Sequence, residues 1–304
     1  MKLAPVCVFA YRRPEHTKRT LAALASSPLA QQTNLTVFVD GPRDAGDADE
    51  VAQVVSLAQR QGGFAGVDVR ARDENAGLAR SIQEGVSQMM SDHGRAIVVE
   101  DDIVTSPSFL NYMNLALDRY ADSPEVWHIS GYNEPIAGNR DRPGTALWRF
   151  MSCWGWASWA DRWSHFERDP DELLASFSPE DIERFNLDGA HDFWSQVLAN
   201  ARGDMRTWAV FWYATIFRNG GLCLAPYHSY AENIGFDGSG THCGPDGAYL
   251  QASLNRDMAP SFPDQLIEDS AALAELKAHY SYRPTKLEKL GRKWRKLIKR
   301  VGES

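Results

Sequence analysis

Arg95-Ala96-Ile97-Val98-Val99-Glu100-Asp101-Asp102-Ile103-Val104-Thr105-Ser106-Pro107 decides how this 304-residue chain is read. A short apolar, β-branched run that ends in three successive carboxylates predicts a buried strand that delivers acid groups to the edge of a sheet. Side chains alternate along a strand, so Glu100 and Asp102 are expected on one face and Asp101 on the other. Clustered carboxylates repel, which raises the cost of ionising them, and a divalent cation relieves that cost. Oxygen ligands suit Mn²⁺ or Mg²⁺, which take one or two carboxylates and complete their shell with substrate phosphates. The other reading is a solvated acidic turn followed by a helix with Ser106 as N-cap and Pro107 at its first position. That reading leaves Glu100 and Asp101 without a role.

Outward from this stretch the pattern is strand, helix, strand. Pro5 to Ala10 reads as a first strand, and Tyr11-Arg12-Arg13-Pro14 as the loop into a helix carrying Leu21 and Leu24. Leu35 to Asp40 is a second strand ending on a carboxylate, before a Gly41-Pro42 turn. Asp44, Asp47 and Asp49 lack the order of a calcium loop and read as caps for the helix with Val51, Val54, Val55 and Ala58 on its apolar face. A third strand, Val67 to Arg72, runs into Asp73-Glu74-Asn75-Ala76-Gly77, and the helix Leu78 to Met90 leads to the acidic strand. A helix over Phe109 to Tyr120 and a strand over Val126 to Ser130 come next. Three strand–helix repeats before the acidic triplet predict an α/β fold with a Rossmann-like, mostly parallel sheet flanked by helices. No G-x-x-x-x-G-K-S/T loop is present, and Gly238-Ser239-Gly240 does not open a G-x-G-x-x-G motif, since position 243 is Cys.

The second half is helix-rich and aromatic. Trp154, Trp156, Trp159 and Trp163 fall within ten residues. Trp159 and Trp163, four apart, are expected on one face of a helix in the core. Trp154 and Trp156 flank Gly155 in a predicted loop, where aromatic faces serve as platforms for sugar rings. Helices are predicted around His191–Ala201 and Thr207–Arg218, then a strand from Gly221 to Ala225. The stretch Glu232 to Gly244 holds four glycines with Asp237 and His242, which suits a loop that closes over a ligand, with His242 as a metal ligand or diphosphate contact or as a structural histidine.

Composition narrows the classes. Hydrophobic residues at 43% and charged residues at 24% are those of an ordinary globular protein. Cys7, Cys153, Cys223 and Cys243 form no C-x-x-C pair, which argues against a zinc module or a disulfide framework. The N-terminal apolar run is too short for a signal peptide and no stretch is long enough to span a bilayer, so a cytoplasmic protein is expected. From Thr285 to Ser304 eight Lys or Arg face two Glu, so a tail of +6 follows 284 residues that carry −14 within the total of −8. An acidic body with a basic tail is not built for nucleic acid. Leu287, Leu290, Trp294, Leu297, Ile298 and Val301 share one helical face of that tail. It fits either a helix in an anionic membrane interface, on the inner face of the cytoplasmic membrane, or one packed on the body.

The blocks Ala96 to Ile103, Ser106 to Leu110 and Val126 to Asn133 together resemble the core of the N-acetylglucosaminyltransferase I family of GT-A glycosyltransferases. Cys153-Trp154-Gly155-Trp156-Ala157 and Asn233 to His242 are closer to its bacterial sugar-transferase relatives. The resemblance covers about residues 5 to 250 and implies one GT-A domain. Residues 1–150 would be its nucleotide-sugar half and 151–265 its acceptor and lid half, before C-terminal helices in 266–304.

The resemblance implies a nucleotide-sugar donor, usually a UDP-sugar such as UDP-GlcNAc, a Mn²⁺ or Mg²⁺ cofactor, and a glycan or lipid-linked acceptor in bacterial surface polysaccharide synthesis. By position Asp102 would bind the metal, Asp101 would lie by the ribose or a metal-bound water, and Glu100 would face the donor sugar. Asp40 would contact the base and Arg13 would lie near the nucleotide. Asn75 and Trp156 join them as donor-site candidates, and His242 as a second metal ligand. The family's base sits in a D-x-W-containing helix before the strand matched here by Gly221 to Ala225, whereas Thr207 to Trp212 holds no acid. Asp192, in Asp192-Phe193-Trp194, is the first candidate base, with Glu232 and Asp237 as rivals. The competing class is a catalytically silent nucleotide- or sugar-binding module that assists another glycosyltransferase.

Overall fold

The computed structural model describes residues 3–136, 142–236 and 253–281. Strands β1 (Val6–Ala10), β2 (Asn34–Val39), β3 (Gly66–Ala71) and β4 (Arg95–Glu100) alternate with helices α1 (Pro14–Ala25), α2 (Ala48–Gln59) and α3 (Leu78–His93). β1 lies between β2 and β4, parallel to both, and β3 is parallel to β2 at the edge. Helical crossovers supply the length that parallel pairing requires.

Alternation along β1 sorts the core into two layers. Val6, Val8 and Ala10 pack with Leu21 and Leu24 of α1 and with Val51 and Val54 of α2, whereas Cys7 and Phe9 pack with Ile82 and Val86 of α3. The chain thus winds helices onto both faces of one sheet. After β3 it crosses to the other side of β1, so strand order reverses between β1 and β4. In an open α/β sheet that reversal parts the loops at the carboxyl ends of the two strands and leaves a crevice.

The second half completes the same sheet. After β5 (Ile103–Thr105) and α4 (Phe109–Arg119), strands β6 (Val126–Ser130), β7 (Thr145–Trp148), β8 (Trp156–Trp159) and β9 (Leu222–Pro226) extend it to eight strands in the order β3-β2-β1-β4-β8-β6-β9-β7. β8 runs antiparallel to β4 and β6, β9 is parallel to β6, and β7 is antiparallel to β9. Short helices α5 (Ala160–Trp163), α6 (Pro170–Ser176) and α7 (Pro179–Phe185) precede α8 (Trp194–Ala201) and α9 (Ala209–Arg218), and α10 (Ser270–Ser281) packs beside β7. β10 (Ala231–Asn233) pairs antiparallel with β5 in a separate two-stranded sheet. The result is the α/β class with a mostly parallel sheet flanked by helices.

Three local expectations are corrected. Trp156 lies in β8 rather than a loop and is fully buried, with its ring 5.3 Å from His128 and 5.5 Å from Trp208. Trp159 ends that strand in an extended conformation, so it shares no helix face with Trp163, and the two pack into opposite core layers. Helix α4 starts after Ser108, not Ser106, and no side chain caps it. The basic tail lies outside the described residues. No described helix is long and apolar enough to cross a membrane.

Candidate functional site

The crevice is a cavity of about 540 Å³ at the carboxyl ends of β1, β2 and β4. Its walls come from the first loop (Tyr11 to Arg13), the ends of β2 and β4, the start of α3, and the segments bearing Trp154 and Met205 to Ala209. Each wall follows from an element's end. β4 stops at Glu100, and Asp101 and Asp102 form the two-residue turn into β5. The strict alternation predicted for the triplet therefore ends with the strand, and both aspartates face the same partner.

That partner is Arg13. Its Nη2 bonds both Asp101 Oδ1 and Asp102 Oδ2, the latter at 3.0 Å. The Tyr11 backbone N–H donates to Asp101 Oδ2 at 3.3 Å, and Thr20 of α1 donates to the Asp101 carbonyl at 2.8 Å. Burial opposes charge on Arg13, but Asp101 and Asp102 more than offset it and hold the guanidinium above its ordinary value. Burial pushes the Asp101 carboxyl up to about 6 against the pull of Arg13. Burial first, then the charges of Asp102 and Asp101, push Glu100 up to about 8, and its carboxyl accepts a bond from the Trp208 side chain. On Glu100 the charge of Arg13 acts only as a minor opposing pull.

Asp40 lines the cavity, yet its carboxylate is occupied. Oδ1 accepts the N–H groups of Gly41 and Ala76 at 3.1 and 2.9 Å, and Oδ2 accepts that of Gly77 at 2.8 Å. Asn75 donates to the Gly41 carbonyl at 2.9 Å. These two side chains fasten the loop before α3 to the end of β2. The loops touch so closely that a Cβ on Gly41 would fall 2.4 Å from the Glu74 carbonyl carbon. Asp47 does not cap α2 as expected; it accepts from the Tyr11 hydroxyl and from Arg12, at 2.6 Å in the second case, and so braces the first loop.

The described candidates for the base lie elsewhere. Asp192 is exposed, absent from the cavity wall, and accepts the Ser195 N–H at 3.0 Å, which makes it a cap ahead of α8. Glu232 sits in β10 beside Asn233, which lines the cavity, so alternation turns Glu232 away, toward the charge of Arg19. Asp237 and His242 lie outside the described residues. Trp156 is walled into the core, whereas its neighbour Trp154 lines the cavity, with its ring 4.3 Å from that of Tyr132.

Sequence reasoning gave no site role to Tyr11, Phe9, Phe38, Ser81, Asn233, Met205 or Arg206. The strand-end positions of Phe9 and Phe38 offered a signal, because residues at the carboxyl ends of β1 and β2 border the crevice. Met205 and Arg206 offered none, whereas Thr207 and Trp208 open the segment that the resemblance matched to the helix of the family's base.

No family model and no curated protein matches the chain. Among solved structures it is similar to the mannosyltransferase PcManGT from Pyrobaculum calidifontis, in complex with GDP-Man and Mn²⁺, at 9% identity and a TM-score of 0.40 over 71% of this chain and 70% of that one. It is also similar to S. aureus TarS, at 14% identity and a TM-score of 0.33, over 47% of this chain and 24% of that one. Any reading of function therefore rests on the crevice itself.

Among the described residues no group of three or more His, Cys, Asp or Glu side chains is arranged to hold a metal ion. Asp102 Oδ1 is nevertheless buried without a hydrogen-bond partner, beside a second carboxylate. Two aspartates with one unsatisfied oxygen fit a cation that draws its remaining ligands from a phosphate group.

Proposed function

We propose that the chain is a metal-dependent GT-A glycosyltransferase that moves a sugar from a nucleotide-sugar donor, such as a UDP-sugar, to a hydroxyl of a glycan or lipid-linked acceptor. The observation that carries this reading is the Asp101–Asp102 turn facing Arg13 across the mouth of a cavity at the strand-order reversal. A nucleoside diphosphate has the charge to engage both a cation on the aspartates and the guanidinium.

In this reading Asp102, helped by Asp101, holds a Mn²⁺ or Mg²⁺ ion, which supplies charge neutralisation for the departing diphosphate. Arg13 binds the diphosphate oxygens. Glu100, held in the wall by the bond from Trp208, presents its carboxyl to a donor-sugar hydroxyl. Trp154, which also lines the cavity, offers an aromatic face to the acceptor. Asp237 remains the candidate for taking the acceptor proton. The test is a panel of nucleotide sugars with Mn²⁺ scored by thermal shift, then by transfer. Stabilisation by one donor, lost in Asp102→Asn, supports the reading; no stabilisation by any nucleotide refutes it.

One observation favours a second reading. Every described carboxylate in the cavity is bonded to protein groups, and neither Asp192 nor Glu232 faces it. A nucleotide- or sugar-binding module without catalysis would look like this. Binding of a donor with neither hydrolysis nor transfer to any acceptor would decide for it.

A further inference from the structure

Arg13 stands where a cation bound to the two aspartates would stand. Its Nη2 reaches both Asp101 Oδ1 and Asp102 Oδ2, and its side chain is 21% exposed, on the cavity side. Away from the cavity, described residues cover both Asp102 oxygens. Oδ1 is buried and unpartnered, and a Cβ on Gly235 would fall 2.4 Å from Oδ2, so backbone is packed against that oxygen. The segment is pinned there by the Ile234 N–H to the Asp102 carbonyl at 2.8 Å and by the Gly235 N–H to Asn233 Oδ1 at 2.7 Å. A cation coming from the cavity meets the guanidinium first.

Building on the reading of the crevice as a nucleotide-sugar site, we propose that Arg13 is an exchangeable occupant of the cation position: it excludes a free divalent ion, and a diphosphate admits the ion by drawing the guanidinium onto its own oxygens. Two like charges cannot share the same pair of oxygens without strong repulsion in a partly buried site. A diphosphate resolves the conflict because its oxygens match the planar guanidinium in two-point geometry and also complete the shell of a cation that favours phosphate ligands. Cation and diphosphate thus bind with positive coupling, and by reciprocity each raises the affinity of the other. The aspartates are kept paired in the meantime, which avoids leaving two buried charges without a partner.

The test is calorimetric titration of the full chain with Mn²⁺ alone, and with Mn²⁺ in the presence of inorganic pyrophosphate. Wild type is expected to bind Mn²⁺ alone weakly and to bind it at least 10-fold more tightly with pyrophosphate. Arg13→Gln is expected to bind Mn²⁺ alone at least 10-fold more tightly than wild type and to lose most of the pyrophosphate enhancement. Arg13→Lys keeps the charge but not the two-point fork, so it should fall between the two, and it serves if Arg13→Gln does not fold. Equal affinity for Mn²⁺ alone in wild type and both variants, whether tight or weak, overturns the proposal. That result would leave the glycosyltransferase reading standing, which fails instead if no nucleotide sugar binds or reacts under any metal condition.

Discussion

The acidic turn after β4 and the aromatic cluster around β8 sit side by side in the sheet and handle polarity in opposite ways. At the turn, Asp101 and Asp102 are buried, and the Arg13 guanidinium, which borders a cavity, bonds both. Around β8, Trp156 packs against Trp163, Trp208 and Trp212 and stacks on His128, whose Nδ1 accepts the Trp212 indole N–H at 3.1 Å while its Nε2 donates to the Ser152 carbonyl at 3.0 Å. That histidine is neutral, since burial lowers it to about 3. One region pairs acid groups with a guanidinium at the wall of a cavity; the other fixes a polar ring inside a packed layer. The difference separates chemistry from scaffold.

The contrast breaks most visibly if the cluster proves to be binding surface. Trp156→Ala is expected to cost about 3–5 kcal/mol in urea-induced unfolding, because it empties the centre of a packed layer. A stable Trp156→Ala variant with impaired sugar binding would reverse the assignment. At the turn the expectation is the opposite: Asp102→Asn should lower transfer by about 10²–10³-fold, as loss of a preorganised charge-stabilising group does, with little change in melting temperature.

His128 sharpens the scaffold side through pH. Its ordinary value is 6.5 and its folded value about 3, so between these the unfolded chain takes up a proton that the folded one refuses. Stability from this group is complete above about pH 6.5 and lost as pH falls, by about 3 kcal/mol between pH 7 and pH 4. Denaturation midpoints across that range should show the slope, and His128→Gln should flatten it. The smallest effect belongs to Asp192. Replacing it by Ala removes a helix cap, worth about 1 kcal/mol, and should leave transfer unchanged; a large loss of transfer at unchanged stability would restore it as the base.

How much was legible depends on where each signal is carried. β1 to β4 and α1 to α3 were readable because their apolar spacing repeats locally, and the carboxylates at the ends of β2 and β4 came with them. β7 and β8 were not. Trp156 to Trp159 has tryptophans three apart, which suits a helix as well as a strand, and only pairing with β4 and β6 makes it extended. In the crevice, Arg13, Asp101 and Asp102 were each named from the sequence with separate roles, and the bonds of the one guanidinium to both carboxylates were not legible there. Asp40 and Asn75 were placed there too, but their commitment to the backbone of Gly41, Ala76 and Gly77 depends on a loop more than 30 residues away.

By itself the amino-acid sequence determined the parallel half of the sheet, the position of the acid groups at its edge and the aromatic character of the second half, because periodicity and residue chemistry are local properties. Tertiary structure alone decided which acids face one another, which are spent on caps and loops, and which tryptophans are core. Those outcomes depend on elements distant in the chain: the guanidinium from the loop after β1 reaches the turn after β4 only once the two strands lie side by side.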